Sequence, residues 1–162
     1  MRWALNRKVF LNGLLIFATG DTIAALILHE FLWTRMLGMM LVGGFIYTSE
    51  IPAYFRWIEN QSLQFKTRFK RSFFKTSMVL LYFNPLWIAR HLFFIKLFSF
   101  AWHDVSWHLL YIGGISYMVN IPISFCGNVI IQVIMPLRYR FYGSAVFSAL
   151  MAIYYALSAH FI

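Results

Sequence analysis

Apolar residues in this chain neither alternate nor recur in narrow stripes; they run. Five long stretches, Val9 to Leu28, Met36 to Ile58, Thr76 to Phe98, Leu109 to Met135 and Phe141 to Ile162, are separated by short segments that hold most of the charge. A bilayer core about 30 Å thick is crossed by roughly 20 helical residues at about 1.5 Å each, which is the scale of these stretches. Barrel strands would show period-two alternation over about ten residues, and none of the stretches does. Helices satisfy their own backbone groups, as hydrocarbon requires. The pattern therefore predicts an all-α integral membrane bundle of four to five transmembrane helices, forming one domain over residues 1–162.

Proline interrupts the third and fourth stretches at Pro85 and Pro122, so kinked helices are expected, with neighbouring helices covering the freed carbonyls. Pro136 to Arg140 reads as a tight turn that sends the chain back for a fifth crossing, leaving Arg138 and Arg140 at headgroup level. From Glu59 to Lys75, Leu63, Phe65, Phe69, Phe73 and Phe74 are interspersed with lysine and arginine. That composition predicts a helix lying on the membrane surface.

Composition agrees with a hydrocarbon solvent. With 61% of 162 residues hydrophobic and 12% charged, there is too little polar surface to face water on all sides. Fourteen Lys and Arg against five Asp and Glu give a net charge of +9. A nucleic-acid binder would gather those cations on one wetted patch, whereas here they punctuate apolar spans. Five alternating spans place eleven of the fourteen on one side, leaving Arg35, Arg90 and Lys96 elsewhere. The positive-inside rule then puts the amino terminus, including Arg2, and the basic loops in the cytosol or mitochondrial matrix. Lys66, Arg68, Lys70, Arg71, Lys75, Arg138 and Arg140 are placed to contact anionic lipid at about 1 kcal/mol each. The first apolar stretch continues to Leu28, longer than a secretory signal, and is read as a retained helix. The single cysteine, Cys126, lies in the fourth stretch and leaves no internal disulfide framework.

Candidate chemistry is sparse. An ionised, unpaired Asp21 would cost about 3 kcal/mol in lipid, so it needs a partner. Counted from the basic side, Asp21 and Arg90 lie about 18 and 21 Å deep along straight helices, and an Asp21–Arg90 contact is expected. Such a pair is either a gate in a pore or a fastener between helices, the latter preferred. His103, Asp104 and His108 invite a metal. Five helical residues set the two imidazoles about 140° apart, so an interfacial loop with Trp102 and Trp107 at the membrane surface is the better reading. His160 is isolated. Five scattered carboxylates, no phosphate-cradling glycine loop and no nucleophile–base order argue against an enzyme, and no cofactor is implied.

Gly20-Asp21 in the first helix, Arg35 followed by Gly43, "YFRWIE" from Tyr54, Pro122 six residues before Asn128, and Pro136 with Arg140 occur in an order that resembles the Mpv/PMP family of small membrane proteins. The resemblance runs from about Asn12 to His160. Departures are Ala25 for the family's glutamine, Thr48-Ser49 for its Gly-Pro pair, and Ile121 for its tryptophan. The family is not known for enzymes; its mitochondrial branch is described as forming channels or supporting membrane homeostasis. The resemblance, with those polar positions lost, implies a structural accessory subunit of a mitochondrial inner-membrane complex, a respiratory complex or ATP synthase. Its partners would be lipids, including a bound phospholipid such as cardiolipin, and other membrane subunits, and its basic loops would lie on the matrix side. The alternative it implies is a channel for ions or small metabolites in the mitochondrial inner or peroxisomal membrane.

Overall fold

The computed structural model describes residues 7–158. Within them the chain is all-α, in five helices: α1 (Arg7–Ile27), α2 (Trp33–Ser62), α3 (Arg68–Phe98), α4 (His108–Ile134) and α5 (Arg140–Ser158). The first four are long and apolar enough to cross a membrane. The fifth expected span is helical for 19 residues, and its end, residues 159–162, lies outside the described residues together with His160 and Arg2.

The apolar stretches locate the helices but not their ends. α2 runs on to Ser62 and α3 begins at Arg68, so the segment from Glu59 to Lys75 is not the separate surface helix that its composition predicts. Its charges are absorbed as helix ends. Thr67 stops the intervening turn, its hydroxyl accepting from the Lys70 backbone N–H at 3.4 Å, as a helix N-cap residue does. At Pro136 the turn is as expected: Tyr139 N–H donates to the Pro136 carbonyl at 2.9 Å and α5 follows at once.

Three of the long helices contain a widened π turn: Val42–Tyr47 in α2, Val79–Phe83 in α3 and Ile130–Ile134 in α4. The α3 turn ends immediately before Asn84-Pro85. Pro85 has no N–H to donate, and a local change of hydrogen-bond step is one way such a position is accommodated in a membrane helix. Pro52 and Pro122 sit inside regular helix.

Packing divides the chain into two units. One comprises Met1–Pro52 with Phe141–Ile162, the other Ala53–Arg140. In the first, α1 and α2 form an antiparallel hairpin. A Cβ on Gly43 would lie 2.6 Å from the Gly13 carbonyl oxygen, and one on Gly13 would lie 2.8 Å from the Gly43 oxygen. These two backbones touch, and only glycine permits it. Phe17 packs against Tyr47 with ring centres 4.7 Å apart and planes tilted by 56°, and Met39, Val42 and Ile51 complete the buried layer. α5 joins this unit through Ala149, which lies against Gly20. In the second unit α3 and α4 run antiparallel, with Ala89 against Gly113 and Arg68–Met78 against Ile130–Ile134. Phe55, Ile58, Val79 and Ile131 are buried there.

α1 ends without a glycine. His29 adopts φ 57°, while Glu30 N–H reaches the Ala25 carbonyl at 2.8 Å and His29 N–H the Leu26 carbonyl at 3.2 Å. This closes the last turn as a left-handed cap, a conformation that costs a residue with a Cβ roughly 1–2 kcal/mol. His29→Gly is expected to stabilise the detergent-solubilised protein by about 1 kcal/mol, read as a higher midpoint in thermal unfolding. A lower midpoint would show that the imidazole itself holds the turn.

Candidate functional site

Charges in the first unit converge on one guanidinium. Arg35 Nε donates to Asp21 Oδ2 at 2.9 Å and its Nη2 to Oδ1 at 2.8 Å, a fork-on-fork pair in which both groups are buried, 2% and 4% exposed. Glu30 approaches the same guanidinium at 3.6 Å from the exposed turn. The partner found for Asp21 is Arg35, which donates to both carboxylate oxygens and which depth along the helices does not single out. Arg90 lies on α3, in the second unit. The reason is topological. The turn over residues 28–32 makes α1 and α2 neighbours, and the register that sets Gly13 on Gly43 also sets position 21 opposite position 35.

In the second unit Glu59, near the end of α2, accepts from two cations with the same oxygen. Lys75 Nζ lies 3.3 Å from Glu59 Oε2, and Arg140 Nη1 also donates to it. Arg140 Nε donates to the Met135 carbonyl at 3.1 Å, which fixes the cluster at the end of α4. Ser62 Oγ closes back on the Glu59 carbonyl at 2.7 Å. Lys75 and Arg140 are buried, so these two are not the lipid contacts that their position in the basic segments predicts. A carboxylate one helix away competes more strongly for them than headgroups outside. Lys66, Arg68, Lys70 and Arg138 are exposed; Arg71 is half-buried and donates to the Phe65 carbonyl at 2.7 Å. Arg138 lies 4.6 Å above the Tyr139 ring.

A third feature includes one expected position, Asn128, but as a stripe it is not among the expected sites. Asn120, Ser124, Asn128 and Gln132 recur every fourth residue along α4 and are 2%, 6%, 3% and 0% exposed. Large apolar side chains on the rest of the helix, among them Ile115, Met118, Val119, Ile123 and Ile134, are exposed. The spacing was readable in the sequence, but a polar stripe at helical period reads as a wetted face until the surrounding solvent is known.

The remaining expected positions fall as follows. Gly20, Gly43 and Asn128 are buried at helix contacts or in the α4 stripe, while Pro122 and Pro136 are exposed. Asp104 is tied to Lys96 Nζ at 2.8 Å, and this bond and the lysine charge hold its carboxyl below the ordinary aspartate range. Among the described residues no three of His, Cys, Asp and Glu gather closely enough to hold a metal ion. Between α1 and α5 an open apolar groove of about 330 Å³ is lined by Leu15, Thr19, Ile23, Val146, Leu150 and Ile153, without a charged group.

The buried ion pair gives a sharp expectation. Arg35→Met alone leaves a buried carboxylate and is expected to destabilise the protein by about 3–5 kcal/mol, as is Asp21→Leu in the opposite sense of charge. The double variant Asp21→Leu/Arg35→Met removes both charges and is expected to recover most of that loss. Unfolding midpoints in one detergent across the four proteins measure the coupling, and additive losses would show that the two groups act separately.

No protein-family model matches the chain, and no curated protein or solved structure matches it either.

Proposed function

We propose that this chain is a non-enzymatic integral membrane protein of the Mpv/PMP type that serves as a structural accessory subunit of a mitochondrial inner-membrane complex, a respiratory complex or ATP synthase. The observation that carries this reading is the disposition of charge. Asp21 and Arg35 are buried and bonded through both carboxylate oxygens, and half-buried Glu59 is paired with buried Lys75 and Arg140, while an aromatic and aliphatic outside is left for lipid and neighbouring subunits. A group that must bind or release an ion is poorly served by a partner that already occupies all of it. Rigid aromatic side chains lose little entropy on burial against another membrane protein.

Support for the family comes from physical roles. Gly20, Asp21, Arg35 and Gly43, four of the positions that carry the resemblance, make the contacts among α1, α2 and α5. Support for the orientation comes from α3. Arg68, Lys70 and Arg71 occupy its first turn, where the helix dipole disfavours cations by some tenths of a kcal/mol each. Anionic headgroups offset that penalty, and exposed Phe69 and Phe73, stacked at 6.4 Å, suit the boundary below them. On this reading the basic ends lie on the matrix side, against a phospholipid such as cardiolipin.

A second reading, a channel for ions or small metabolites in the mitochondrial inner or peroxisomal membrane, is favoured by one observation, the polar stripe inside α4.

Native gels of mild-detergent mitochondrial extracts test the first reading: the chain is expected to migrate with a large assembly. Migration as a free monomer or homo-oligomer would overturn it. Currents from the purified protein in planar bilayers, reduced by Asn128→Leu, would instead establish the second.

A further inference from the structure

The stripe on α4 is only partly satisfied by the protein. Asn120 Nδ2 donates to the Ser116 carbonyl at 2.9 Å and Asn128 Nδ2 to the Ser124 carbonyl at 2.8 Å, each hooking back along its own helix. Asn120 Oδ1, both amide atoms of Gln132 and the Thr76 hydroxyl are buried and have no protein partner. Thr76 belongs to the segment Arg68–Met78 that packs on Ile130–Ile134, where Gln132 sits. Thr76 and Gln132 therefore share one interface inside the second unit, and Asn120 lies on the same four-residue stripe of buried side chains along α4. A straight α-helix turns residues spaced by four about 40° per step, and the wider turn Ile130–Ile134 takes back part of that drift before Gln132.

An amide left without a partner in apolar surroundings costs roughly 2–7 kcal/mol. Four such atoms along one seam are more than packing readily offsets. Proteins meet this situation with internal water, which requires two to four polar partners and is commonly held by otherwise unsatisfied groups.

The two ends of the seam differ. At one end Arg140, bonded to the Met135 carbonyl, holds the Glu59–Lys75 cluster about 4.5 Å beyond Gln132 along the axis. Charged groups at the end of a membrane helix draw water to it. At the other end a Cβ on Gly113 would lie 3.3 Å from the Ala89 backbone nitrogen and Cβ, so the two helices meet directly there. Asn120 stands about 21 Å from the Ile134 end of a helix about 40 Å long, close to its midpoint.

We propose that the buried face of α4 binds a short file of water that extends from the Glu59–Lys75–Arg140 cluster to Asn120 at mid-depth and stops there. The site is blind: it makes the interior exchangeable with protons from one side without connecting the two. It holds whether the chain is an accessory subunit or a conductor, because it rests on packing inside the second unit alone.

Proton-detected solid-state NMR of the wild-type protein in phospholipid nanodiscs tests this directly, without reliance on any variant folding. Magnetisation transfer from water is expected to reach the side-chain amides of both Gln132 and Asn120. Transfer to neither would overturn the proposal, and transfer to Gln132 alone would overturn its reach to mid-depth. A second measurement has opposite signs for the two cases. Gln132→Met keeps the shape and removes the amide, so it is expected to lower the thermal midpoint by a few degrees if water bridges that amide. A higher midpoint would mean that the seam is dry and strained.

Discussion

Hydrocarbon supplies no hydrogen-bond partner, and that constraint governs where the polar groups within the described helices sit. In water the buried face of a helix is apolar and the outer face polar. α4 has the reverse arrangement, with amides and a serine inside and Met118, Val119, Ile123 and Ile134 outside. Hydroxyls follow the same rule locally: Thr48 donates to the Gly44 carbonyl and Ser49 to that of Phe45, each consumed by its own helix. The ions follow it over longer distances, because each must meet a countercharge wherever the fold brings one near.

Two kinds of contact then hold the first unit together, and they are set by one register. The backbone contact of Gly13 with Gly43 brings α1 and α2 close, and that closeness places Arg35 where its fork meets Asp21. Neither alone specifies the hairpin. Small-residue packing provides proximity with little directional preference, whereas a bidentate pair tolerates one alignment. A buried pair of this kind adds less stability than its Coulomb energy suggests, and its larger effect is to make other registers costly.

Much of this was legible before any coordinates. Uninterrupted apolar runs located four membrane-length helices and the turn at Pro136, because length against bilayer thickness is a strong constraint. What run length does not encode is where a helix stops in water, so the basic segment from Glu59 to Lys75 read as a surface helix instead of the ends of α2 and α3. The pairing of Asp21 with Arg35 is hard to read for a related reason. Depth along a helix is readable from sequence, but which helices adjoin depends on turn length and register, and here a turn of five residues brings Arg35 to Asp21. Lys75 and Arg140 looked like lipid contacts because a single acidic residue near a basic run gives no sign of which cations it will claim. The α4 stripe was visible as spacing and invisible as a site, since its meaning reverses with the solvent outside.

The account stands on α4 turning its apolar side to lipid, and a spin-label scan along that helix in bilayers tests this most directly. Labels introduced one at a time from 115 to 134, in a background where Cys126 is replaced by serine, report collisions with oxygen, which favours hydrocarbon, and with a water-soluble nickel chelate. The account predicts oxygen maxima at Ile115, Met118, Val119, Ile123 and Ile134 with minima at Asn120, Ser124, Asn128 and Gln132, repeating at helical period. Nickel collisions dominating at Met118, Val119 and Ile123 would place that face in water and contradict it.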